Sequence, residues 1–145
     1  MTILGIDYGT KRIGLATGDS GSSLVFPLRT IERKEGLDAV AAVLEAARAE
    51  SAGRVVVGVP RRMTGRGGAA GETERQALAF AEALLAGAVK LGMTVEVDTE
   101  DERMTSALAD RWQEMSGGKK GKFDRDAAAA AAILETYIER NFGKG

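Results

Sequence analysis

Ile3-Leu4-Gly5-Ile6-Asp7-Tyr8-Gly9-Thr10-Lys11-Arg12-Ile13-Gly14-Leu15-Ala16 is the stretch that decides the fold. An apolar run ends in an aspartate, a short polar turn follows, and a second apolar run leads away, so the stretch reads as a β-hairpin. Asp7 then stands where a buried strand emerges. A charge there is too costly to keep inside the sheet and belongs at the rim, where it bonds the turn backbone or meets a cation.

Outward from this hairpin the pattern is regular. Leu24 to Ile31 reads as a third strand, and Pro27, which cannot donate to a ladder, places it at an edge. Gly36 to Glu50 carries an apolar stripe at Leu37, Val40, Val43, Leu44 and Ala47, the spacing of an amphipathic helix. Arg54 to Pro60 is a short apolar run suited to a strand covered on both faces. Glu72 to Leu91 is the longest helical pattern, with Leu78, Ala81, Leu84, Leu85, Ala88 and Leu91 as its buried stripe. Thr94 to Asp98 alternates as a strand, with Glu100 to Arg103 at its exit. A helix from about Thr105 uses Leu108, Trp112 and Met115, and Ser116 to Lys122 is rich in Gly and Lys. The last helix starts near Asp124 to Asp126 and buries Ala130, Ile133, Leu134, Tyr137 and Ile138. With no repeat and no linker, residues 1–145 read as a single α/β domain. A three-stranded antiparallel meander followed by right-handed crossovers gives a mixed five-stranded sheet with helices on both faces and the first strand central.

Composition removes whole classes of chemistry. There is no cysteine and no histidine, so disulfides, zinc-thiolate sites, thiol nucleophiles and imidazole bases are excluded. Any enzyme here works through carboxylates, lysines, hydroxyls or a hard metal ion held by oxygen. The formal net charge of −1 gives no global attraction to nucleic acid, so a polyanion site must be local. No signal peptide and no apolar run of membrane-spanning length is present, which points to a cytoplasmic protein without a membrane partner.

Three acids are placed to meet. Asp7 ends the first strand, Glu102 follows the fifth, and parallel strands would bring both to the edge where open α/β sheets bind ligands. Asp126 stands four, seven and eleven residues ahead of Ala130, Ile133 and Tyr137, so it extends the helix's buried face one turn toward that edge. Taken singly, Asp126 or Asp124 suits a helix N-cap and Glu102 a solvated loop acid. Together, with no counter-ion evident in the sequence, they would repel strongly unless a proton or cation intervened. Oxygen-only ligands favour Mg²⁺ or Mn²⁺, and two such ions roughly 4 Å apart would align a water against a phosphodiester. Asp101 and Asp124 are further acids close enough in sequence to assist. Lys11, Arg12, Arg61, Arg62, Arg66, Arg103, Lys119, Lys120 and Lys122 fall in loops that open on the same edge and would form a cationic rim for a phosphate backbone. With seven aromatic residues in the chain, base stacking is not expected to dominate recognition.

The blocks Gly5 to Ala16, Val56 to Pro60, Asp101 to Ser106, and Asp126 with Ala127-Ala128 through Ile133 to Tyr137 resemble the YqgF/RuvX family of ribonuclease-H-like nucleases. The resemblance covers nearly the whole chain. It implies the ribonuclease H-like fold, a divalent-metal site from Asp7, Glu102 and Asp126, and a role in maturing the 5′ end of pre-16S ribosomal RNA in ribosome biogenesis. It equally carries the Holliday junction resolvase reading, in which branched DNA is the substrate and a homodimer rather than a monomer is required. Two departures stand out. Many ribonuclease-H-like enzymes hold an acid at the end of strand four, where this chain has Val59-Pro60-Arg61, so Glu102 must substitute; and Arg61-Arg62-Met63-Thr64-Gly65 replaces the family's usual polar residues. The Gly-Ile-Asp-x-Gly-Thr block also resembles the phosphate hairpin of sugar kinases and actin-like ATPases, which close two such domains around ATP. A non-catalytic RNA-binding assembly factor is the remaining alternative.

Overall fold

The computed structural model describes residues 1–60, 71–102, 111, 114 and 125–143. Strands β1 (Thr2–Asp7), β2 (Arg12–Asp19) and β3 (Val25–Glu32) are followed by helix α1 (Ala39–Ala49), β4 (Arg54–Val59), α2 (Glu72–Lys90), β5 (Glu96–Asp101) and α3 (Arg125–Phe142). The sheet order is β3-β2-β1-β4-β5, with β1 in the centre. β1 to β3 form the antiparallel meander, and β4 and β5 run parallel to β1, as expected. Of the helix expected from about Thr105, Arg111 and Glu114 are described and helical, and the rest lies outside the described residues.

Alternation within β1 assigns the two faces. Leu4 and Ile6 join Ile13, Leu15, Val55 and Val57 beneath α1 and α2. Ile3 joins Ala16, Val56 and the alanine-rich face of α3 on the other side. The small residues of α3 let that helix lie close to the sheet: a side chain at Gly5 would come within 2.8 Å of the Leu134 Cβ. Among the described residues no helix is long and apolar enough to cross a membrane.

Three expectations shift. Helix α1 starts at Ala39, later than Gly36, because Gly36 takes a left-handed φ of 87° and Asp38 caps the first turn by accepting from the Ala41 N–H at 3.1 Å. Helix α2 turns Ala77, Phe80, Ala81, Leu84 and Ala88 inward, a continuous three-to-four-residue stripe. Leu85 and Leu91, expected in the core, are exposed: Leu85 stands off that stripe, and Leu91 is the C-cap residue, past the end of the helix at Lys90. Strand β5 begins at Glu96 and runs to Asp101, so Thr94 and Val95 precede it and Glu100 belongs to it.

One row of paired residues on the α3 face crosses the sheet: Thr30, Gly14, Asp7, Gly58 and Glu100. Asp7 therefore has a glycine on each side. A Cβ at Gly14 would overlap the Asp126 carbonyl oxygen, so this glycine lets the first turn of α3 settle directly on β2. A Cβ at Gly58 would overlap Ile133 and lie 3.1 Å from Glu102 Oε2.

Candidate active site

The row's two glycines leave a recess beside Asp7 into which Glu102 reaches on the Gly58 side, with the backbone of Asp126 over Gly14. Asp7, the last residue of β1, is partly buried, and its carboxyl shares a hydrogen bond with that of Glu102, the residue directly after β5. Asp126, in the first turn of α3, is close enough to act on Asp7 through its charge. Burial first, then repulsion from Glu102 and Asp126, pushes the Asp7 carboxyl up to about 8. Burial also raises Glu102, against the hydrogen bond from Asp7, with Asp101 adding repulsion. Burial and contact thus both disfavour two negative charges on this pair.

Asp126 is placed differently from the other two. Its Oδ2 accepts from Arg12 Nε at 2.8 Å, so the counter-ion that the sequence did not reveal is Arg12. The strand period carried the signal: Arg12 lies two residues before Gly14 and shares its face, pointing toward α3. Among the described residues, no three acids stand spaced as a ready set of ligands. The oxygen-only donor set and the mutual repulsion of the acids nonetheless suit a hard divalent cation.

Of the expected basic rim, Lys11 is exposed in the β1–β2 turn and Arg12 is engaged with Asp126. Arg61, Arg62, Arg66, Arg103, Lys119, Lys120 and Lys122 lie outside the described residues, as does Asp124. Asp101 closes β5 beside Glu102. Two features escaped the sequence reading. Arg33 donates from Nη1 to the Gly9 carbonyl at 2.9 Å, with its guanidinium 5.2 Å from the Tyr8 ring centre, and so pins the turn after Asp7. A groove of about 280 Å³, lined by Arg12, Thr30, Glu32, Arg125 and Asp126, adjoins the acids on the β2–β3 side.

A family model described as "RuvX: Holliday junction resolvase" matches residues 1–140. The chain belongs to the RuvX family. Within it, a protein of Caldanaerobacter subterraneus subsp. tengcongensis is 35% identical over 96% of this chain and 96% of its own length, and one of Salinibacter ruber is 39% identical over 95% and 92%. Both carry the name "Putative pre-16S rRNA nuclease". Among solved structures, RuvC of T. thermophilus in complex with a Holliday junction substrate superposes with a TM-score of 0.61 at 22% identity, covering 99% of this chain and 97% of that one. The fowlpox virus Holliday junction resolvase follows at 0.57 and 14% identity, covering 97% and 99%. These likenesses establish the fold expected from the sequence, a ribonuclease-H-like sheet, and the RuvX family is one of nucleases by the names its members carry.

Proposed function

We propose that this RuvX chain is a divalent-metal-dependent phosphodiesterase acting on nucleic acid, with Asp7, Glu102 and Asp126 as its metal-holding and catalytic acids. The observation behind the reading is the contact between the Asp7 and Glu102 carboxyls, two acids kept together in a recess cleared by glycines, with a third beside them. A structural role would be served better by an acid and a base. Mg²⁺ or Mn²⁺, when bound, supplies charge neutralisation and Lewis-acid activation for hydrolysis of the phosphodiester. The chain's own residues orient the site: Gly14 and Gly58 admit α3 and Glu102, Arg33 holds the turn that carries Asp7, and Lys11 with the basic loops attracts the backbone.

The substrate reading taken from the relatives' names is pre-16S ribosomal RNA; the reading is completed by a cut at its 5′ end, a cytoplasmic location and residues 1–145 acting as a single domain. The second reading, a Holliday junction resolvase, is favoured by the family description and requires a homodimer with two active sites related by a dyad. Cleavage of a 5′-extended rRNA fragment and of a four-way DNA junction, each with Mg²⁺ or Mn²⁺, separates the two, with a mass measurement in solution alongside. Asp7→Asn is expected to abolish cutting and keep or improve nucleic-acid affinity, because it removes negative charge. A wild-type chain that binds RNA but cuts neither substrate would overturn the nuclease reading in favour of a non-catalytic assembly factor.

A further inference from the structure

We propose that Arg12 couples substrate binding to ion binding: it holds Asp126 until a backbone phosphate of the nucleic acid enters the adjoining groove and takes over its guanidinium. This rests on the metal-dependent reading of the acid site above. Arg12 Nε binds Asp126 Oδ2 at 2.8 Å while its side chain is 56% exposed, so the pair is screened by water and exchanges partners easily. A guanidinium on a carboxylate weakens its hold on a divalent cation, since the two positive charges repel. Arg12 therefore opposes the ion at Asp126 for as long as it stays there.

The groove beside the pair is suited to receive what would draw Arg12 away. Arg125 supplies a second guanidinium, and Thr30 Oγ1 is buried with no hydrogen-bond partner. Guanidinium groups fork onto phosphate oxygens through paired N–H groups, whereas Arg12 meets Asp126 through Nε. Glu32 and Asp126 balance the two arginines, so the groove carries no surplus charge of its own. A phosphate entering alone would be opposed by Glu32 and Asp126, and an ion entering alone would be opposed by Arg12. Entering together they neutralise one another, which is positive coupling between the two ligands.

The test is a calorimetric titration of Mn²⁺ into the full chain, with and without a saturating short single-stranded RNA bearing phosphorothioate linkages. Wild type is expected to bind Mn²⁺ about fivefold or more tightly with the RNA present, and the RNA to gain by the same factor from Mn²⁺. Arg12→Ala is expected to bind Mn²⁺ without RNA as tightly as wild type does with it, to bind the RNA more weakly, and to lose the coupling. Arg12→Lys keeps the charge and controls for folding, and should retain the weaker ion affinity of wild type. If Arg12→Ala binds Mn²⁺ like wild type and keeps the response to RNA, Arg12 is a structural partner only and the coupling is wrong, while the acid site stands. If no variant binds Mn²⁺ at all, the acid site's metal reading falls and the coupling with it.

Discussion

The α3 face of β5 and its continuation carry four alternating acids, Glu96, Asp98, Glu100 and Glu102, and the first three are treated unlike the fourth. Glu96 pairs with Arg54, Asp98 accepts from the Tyr137 hydroxyl at 2.7 Å, and Glu100 accepts from Arg140 at 2.6 Å. Arg54 also donates to Tyr137 Oη at 2.9 Å, tying α3 to β4. At the top of the same row Glu102 shares a hydrogen bond with another acid, Asp7. One strand and one helix thus build both a neutralised network that fastens α3 to the sheet and an acidic recess that costs stability. Acids that meet a cation or hydroxyl fasten α3 to the sheet, whereas at Asp7 and Glu102 acid meets acid, the arrangement on which the proposed metal site rests.

The largest effect that sharpens this contrast is on catalysis. Asp7→Asn is expected to lower cleavage by at least about 10²-fold, more than loss of an outer-shell partner costs, whereas Tyr137→Phe in the lower network leaves the rate constant unchanged. Cleavage kinetics at 25 °C check both. Stability moves the other way at the acid site. Asp7 is held near 8 when folded against 3.8 unfolded, so the folded chain binds this proton more tightly. The resulting stability is complete below pH 3.8 and is lost as pH rises toward 8. Denaturation in chelator is expected to show that loss, and Asp7→Asn, which cannot ionise, to gain about 1 kcal/mol or more over wild type at pH 8.

Two further substitutions probe the packing beneath each region. Gly14→Ala sets a methyl against the Asp126 carbonyl and is expected to cost about 1–3 kcal/mol and to impair cleavage together, because α3 must lift off β2. Arg140→Met leaves Glu100, only 4% exposed, without its guanidinium; burial already raises Glu100, and the loss is expected to be about 1–3 kcal/mol with cleavage unaffected. The smallest effect is that of Tyr137→Phe, about 1 kcal/mol, read from urea midpoints.

How much of this was legible in the chain follows from what local pattern encodes. The end of an apolar run marked Asp7, helical period carried Asp126 onto the buried face of α3, and the meander and the central place of β1 followed from turn lengths and crossovers. Glu102 was placed at the right edge, but its contact with Asp7 depends on Gly58 lying beside Asp7, which is a matter of register between β1 and β4. The Arg12–Asp126 pair joins residues 114 positions apart: strand period sets Arg12 on the α3 face, but no local rule names Asp126 as its partner. Leu85 and Leu91 are apolar yet exposed, Leu85 at the margin of the buried stripe of α2 and Leu91 past its last turn, and composition alone reports neither the width of the stripe nor where the helix stops.

The most direct measurement is a Mn²⁺ titration at pH 8 of wild type, Asp7→Asn, Glu102→Gln and Arg140→Met, followed by calorimetry. Saturable binding in wild type and Arg140→Met, lost or weakened at least about tenfold in the two acid variants, is the expected result. Equal binding by all four chains, or by none, would contradict the assignment of the Asp7–Glu102 recess as the place where this fold holds its catalytic ion.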